Sequence, residues 1–206
     1  MNLNKKALIF NIILFALELL GFILSIYFEK GMILKFYTNL SNYLGLIASS
    51  LFIINYLLKE KYDKFSKVVK FMKLTATIAL NVTFFVVVFI LLPMVKFDVY
   101  MLMIDRHFII YHTLAPIIAI ITFVCFEKYD YSYKKGFILG SIFSILYSIF
   151  ISILILLKVV TPPYPFLDYY NNALWLSILS VIIVLSLIAF TIWLLLFTNI
   201  RVNKKA

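Results

Sequence analysis

Residues 7–28 read ALIFNIILFALELLGFILSIYF, a run of 22 residues whose one charge is Glu18. The hydrocarbon core of a bilayer takes about 20 apolar residues of helix to cross, and no proline interrupts this run. Lys5 and Lys6 precede it, and Glu29 and Lys30 close it. A secretory signal would carry a shorter apolar core and a small-residue cleavage site. The run has neither, so it predicts a retained first membrane span.

Working outward, the same pattern recurs. Apolar stretches at 7–28, 36–58, 71–92, 108–126, 136–157 and 173–198 predict an all-α, polytopic membrane helix bundle with six transmembrane helices, forming a single domain over 1–206. Composition agrees: 65% of residues are hydrophobic and 14% charged, and mean hydropathy is +1.07. Soluble domains are roughly half apolar and a quarter charged. Five glycines and five prolines leave little for long loops or for the many turns of a β-barrel.

The formal charge of +10 raises the question of nucleic acid. The lysines sit beside apolar runs, so orientation and anionic headgroups explain them better, and no nucleic-acid partner is expected. Lysines and arginines number 14 in the N-terminus, the 59–73 and 127–135 connections and the C-terminus. Lys30, Lys35, Lys96, Arg106 and Lys158 are the five on the other side. The positive-inside rule then predicts a multi-pass cell-membrane protein with both termini cytoplasmic. The connections at 29–35, 93–107 and 158–172 face outward. Cys125, the one cysteine, excludes an internal disulfide and a cysteine metal site, and reads as a small buried hydrophobe. No metal or cofactor is expected.

Several polar positions interrupt the apolar runs. Gly136, Gly140, Ser144, Ser148 and Ser152 recur every four residues and predict a small-residue stripe for close helix packing, or a polar track. Glu18 shares a helix face with Gly21 and Ser25. A carboxyl at that depth must be neutral or paired, and Asn81 is a candidate partner. Thr38, Ser41, Asn42, Gly45 and Ser49 form a polar, small face that should look into the bundle. Asn39 opens a glycosylation sequon at the membrane boundary, where it is expected to go unused. Both histidines, His107 and His112, lie at the start of the fourth run. Pro116 cannot bond the carbonyl of His112, which predicts a local kink there. Pro162, Pro163 and Pro165 stiffen the last outer connection, and Asp168 either caps the sixth helix or joins a polar site. Thr38, His112 and Asp168 should all lie near one membrane face.

Three motifs carry a resemblance: Lys35-Phe36-Tyr37-Thr38 opening one span, His112-Thr113 opening another, and the Tyr164-Pro165-Phe166-Leu167-Asp168 loop. Together they resemble the androgen-induced protein family, and the loop is similar to its bacterial branch of six-span proteins. Vertebrate members are threonine hydrolases that cleave fatty acid esters of hydroxy fatty acids with one threonine and one histidine. The resemblance implies Thr38 as nucleophile and His112 as its base. Such chemistry needs donors for the oxyanion, for which Asn42 or Asn39 is a candidate beside backbone groups, and Ser41, Asp168, Glu18 and Asn81 are possible supporting polar groups. Where vertebrate members carry further polar residues before the histidine, this chain has Phe108, Ile109 and Ile110. The expected function is an intramembrane lipid-ester hydrolase near the outer face, its partner a membrane lipid or lipid-like ester. The alternative is a non-enzymatic binding, transport or sensory protein in which Glu18, Asn81 and His112 line a polar pocket. Oligomeric state is not legible.

Overall fold

A computed structural model describes residues 5–29, 34–59, 61–127 and 131–205, with side chains described through Val202. The described residues are mostly helical and contain no strand. Six long helices are apolar enough to cross a membrane: α1 (Lys5–Glu29), α2 (Tyr37–Leu57), α3 (Asp63–Met94), α4 (Ile109–Phe126), α5 (Tyr133–Leu156) and α6 (Leu174–Lys205). The all-α bundle expected from the apolar runs is what forms. The outward side chains of α6 are apolar, including Trp175, Ile178 and Ile182. A surface of that kind needs lipid as its solvent and fits a multi-pass membrane protein.

The helix ends differ from the sequence reading at two places. α3 begins at Asp63, eight residues before the apolar run, so Lys64, Lys67 and Lys70 ride on its first turns and are not in a loop. α6 continues seven residues past the expected end at 198. Both extensions are polar helix, which hydropathy does not register.

α3 is the hub of the bundle and the most buried helix. It packs on α2, α4, α5 and α6, while α1 lies against α2 and α4. One core joins Leu74, Ile78 and Val82 of α3 to Ile151 of α5 and Ile192 of α6. A second joins Leu14 of α1, Leu80 of α3, and Tyr111 and Ala115 of α4. Gly140 lets Ile78 press against the α5 backbone, and Gly21 admits the Tyr111 ring. A side chain at either position would collide with those neighbours.

Each end of the bundle is tied by polar contacts. At the end holding the helix α3 start, Lys73 lies 3.2 Å from Glu127 and donates to Asn11 Oδ1 at 2.7 Å. Asn11 Nδ2 donates to Glu127 Oε1 at 3.0 Å, and Asn199 Nδ2 donates to the Glu127 carbonyl at 2.8 Å. This latch joins α1, α3, α4 and α6. Lys73 is therefore a buried structural cation; the sequence reading counts it among the loop charges. Lys30 and Lys128 lie outside the described residues. Cys125 is exposed on α4 and not buried as expected; its side of the helix faces away from the bundle.

Prolines account for two π-helical turns. Val87–Leu91 precedes Pro93, and Ile109–Leu114 precedes Pro116. In each, an N–H bonds five residues back, Leu92 to Val87 and Ala115 to Ile110. Proline deprives the helix of one N–H, and the wider turn accommodates the break in register without ending the helix. The kink expected at Pro116 thus takes the form of a π turn that carries His112.

Candidate functional site

The N-terminus of α2 positions Thr38. Phe36 is extended and caps the helix, and Tyr37 and Thr38 form its first turn, where backbone N–H groups lack intrahelical partners. The Thr38 side chain is buried. Its hydroxyl lies 3.4 Å from Nε2 of His112, which projects inward from the π turn of α4. The sequence reading proposed this pair across 74 residues of chain, and the fold brings the two side chains together.

The other nitrogen of His112 holds the ring in place. Nδ1 faces the backbone carbonyl of Leu102. A carbonyl only accepts, so Nδ1 carries a hydrogen; whenever the ring is neutral, Nε2 is then the nitrogen with a lone pair directed at Thr38. Leu102 belongs to a short π turn, Tyr100–Ile104, which folds back on α4. The next carbonyl, Met103, accepts from Thr113 Oγ1 at 3.2 Å. Two adjacent side chains of α4 therefore clamp the same connection. That connection bends through left-handed backbone at Lys96, Phe97 and Arg106. The Phe108 ring lies flat on the imidazole, centroids 4.9 Å apart.

Tyr164 closes the site from the last connection. Its hydroxyl accepts from the Thr38 N–H at 3.4 Å and lies 3.5 Å from Thr38 Oγ1. Burial pushes this phenol above its ordinary range, so it keeps its proton and can donate at neutral pH. Tyr164 stacks on Phe166, and Pro165–Leu167 forms a single 3-10 turn. The sequence motif by itself assigns Tyr164 no role. A helix N-terminus facing a loop tyrosine is the signal that could have found it.

The expected supporting residues divide. Ser41 Oγ donates to the Thr38 carbonyl at 2.9 Å and meets Thr83 Oγ1 at 2.8 Å, fixing the turn that carries Thr38. Asn42 Nδ2 donates to the Thr38 carbonyl at 2.6 Å, and Asn39 Nδ2 donates to Glu29 Oε2 at 2.5 Å. Each of these bonds uses one hydrogen of its amide; Asn42 holds the Thr38 turn, and Tyr164 is the side-chain hydroxyl beside Thr38 Oγ1. Asp168 stands apart from the site. It accepts from the Asn171 N–H at 3.2 Å and Nδ2 at 2.7 Å, capping a turn ahead of α6. Asn171 holds its carboxylate below the usual range.

Glu18 is buried against the Gly45 backbone, and neither carboxyl oxygen has a hydrogen-bond partner among the described residues. Asn81 donates to the Thr77 carbonyl at 2.7 Å and does not bond Glu18. A second polar pair was missed: His107 Nε2 meets Glu29 Oε1 at 2.9 Å, with the ring packed among Phe28, Phe108 and Tyr111.

Beside Thr38 lies a cavity of about 440 Å³. Its walls come from α2, α3, α5 and α6, and the last connection roofs it with Tyr164 and Leu167. Glu18, Asn81 and His112 do not line this cavity. The α5 stripe serves two ends: Gly140 packs on α3, while Ser144, Ser148 and Ser152 line the cavity. Among the described residues no group of three or more His, Cys, Asp or Glu side chains could hold a metal ion. Comparison with family models, curated proteins and solved structures gives no match.

Proposed function

We propose that the protein is an intramembrane lipid-ester hydrolase with Thr38 as nucleophile and His112 as general base. One observation carries the reading: a buried threonine hydroxyl 3.4 Å from Nε2 of a histidine whose other nitrogen is held by a backbone carbonyl. A threonine hydroxyl is a weak nucleophile until a neighbouring base takes its proton. In a site without substrate such contacts are commonly long and tighten on binding. The resemblance to the androgen-induced protein family points to the same two residues.

The reaction is an acyl transfer in two halves. Thr38 Oγ1 adds to the ester carbonyl carbon as His112 Nε2 takes its proton. The oxyanion meets the Thr38 N–H and the Tyr164 hydroxyl. The C–O bond to the alcohol then breaks, and the imidazolium returns the proton to the leaving oxygen. Water, deprotonated by His112, then attacks the acyl-threonine carbonyl; the C–Oγ1 bond breaks, the imidazolium returns the proton to Thr38 Oγ1, and the acid leaves. No cofactor enters the balance.

The excess of lysine and arginine, 14 against five, orients the bundle with both termini in the cytoplasm and Thr38 near the outer face. A lipophilic fluorophosphonate tests the nucleophile. Purified protein should be modified at Thr38, and His112→Ala should abolish labelling while Asp168→Asn leaves it intact. Modification elsewhere, or labelling indifferent to His112, overturns the reading.

A further inference from the structure

The cavity beside Thr38 has a shape, a lining and an opening that together specify an occupant. Along α5 it extends from Ser144 to Leu156, about 18 Å of helix at 1.5 Å per residue. It is long and not round. Its hydroxyls are already satisfied: Ser144 by Tyr37 at 2.6 Å, Ser148 by the Ser144 carbonyl at 2.8 Å, Ser152 by Tyr169 at 3.0 Å. The wall therefore presents an apolar surface despite its serines. Their small size is what leaves the space open.

The opening is lateral. Among the described residues, those that line the cavity and also face outward come from α5 and α6: Ile145, Ile149, Ile153 and Leu156 from one, Val181 and Leu185 from the other. Ile149 is 54% exposed and Leu185 47%. In a bilayer that face meets hydrocarbon, so whatever enters between α5 and α6 comes from the acyl region of the membrane.

We propose that this cavity holds a single unbranched hydrocarbon chain, which enters sideways from the bilayer between α5 and α6 and lies along α5 beside Thr38. A volume of 440 Å³ has room for roughly fifteen water-sized groups at about 30 Å³ each, and a methylene is of similar size. One long acyl chain fills it; two do not fit. The ester substrate is then one whose chain next to the carbonyl is a single long tail. That last step rests on the hydrolase reading, whereas the tail pocket itself does not.

Photolabelling tests it. The protein in phosphatidylcholine nanodiscs is given a sixteen-carbon fatty acid bearing a mid-chain diazirine, and adducts are mapped by mass spectrometry. Adducts should concentrate on cavity residues such as Ile151, Val184 and Ile188 and persist in Thr38→Ala. Ser148→Phe from one wall and Val184→Trp from the other should each reduce them at least tenfold, while Leu146→Phe, on the outward face of α5, should not. Folding of each variant is checked by thermal unfolding. Adducts spread evenly over the outer surface, or unchanged in both folded cavity variants, overturn the proposal. Labelling without hydrolysis leaves the pocket and removes the dyad; hydrolysis without cavity labelling does the reverse.

Discussion

Thr38 and His112 lie 3.4 Å apart, and each is held from behind. The Thr38 turn is held by Ser41 and Asn42, and the imidazole by Leu102. Removing either reacting group should cost at least about 10²-fold in ester turnover, the lower range of general-base contributions. Thr38→Ser keeps the hydroxyl and should retain activity. Tyr164→Phe removes one oxyanion donor but no reacting group. It should lower kcat by about 10²-fold with little change in KM, as loss of such a donor does elsewhere. Because burial raises the Tyr164 hydroxyl, the phenol is the protonated donor below its shifted range and loses its proton only above the ordinary tyrosine range. The wild-type rate should therefore show no Tyr164-dependent fall between neutral and mildly alkaline pH, which a comparison of wild-type and Tyr164→Phe pH profiles reads directly. That Thr38 and His112 approach each other was foreshadowed by their similar depth on one membrane face, and the resemblance named them as a pair. Leu102 was not, since a backbone carbonyl is present at every position and only the π turn aims this one. The partners of Asn42 and Asn39 were not legible for a related reason: where an amide donates is decided by rotamer and packing.

At the scale of elements, hydropathy located the helices and missed what happens at their ends. The first two turns of α3 are polar and still helical, because they lie past the apolar stretch but within reach of the hydrogen-bond ladder. The π turns before Pro93 and Pro116 leave no hydropathy trace. The small-residue stripe on α5 was visible by its period, but only the fold shows that its serine half faces a cavity. α2 and α5 end in left-handed lysines, Lys59 with φ 51° and Lys158 with φ 58°. A side chain in that region costs about 1–2 kcal/mol that glycine avoids. Lys158→Gly should raise the unfolding temperature of the purified protein; a lower one would mean that the contact of Lys158 with the Tyr170 ring outweighs the backbone term.

On the scale of the whole molecule, the two ends of the bundle do different work. One end is latched by the Lys73–Glu127 pair and its two asparagines. Removing one partner leaves a buried charge uncompensated, which typically costs about 3–5 kcal/mol. Lys73→Met and Glu127→Leu should each destabilise strongly, and the double variant should recover most of the loss in a thermal-unfolding double-mutant cycle. The other end carries the site, roofed by the last connection and open to lipid between α5 and α6. The six-helix bundle was legible from composition and run length, since few sequences with this hydropathy can fold otherwise. The cavity was not, because a void is the joint product of four helices and no single stretch encodes it.

The most direct test of the central claim is hydrolysis of a panel of long-chain lipid esters by the detergent-purified protein, run beside Thr38→Ala and His112→Ala. The account predicts turnover of a single-tailed ester by the wild type and its loss in both variants, each still folded. An inactive wild type, or variants that match its rate, would contradict the dyad and leave the cavity as a lipid-binding site.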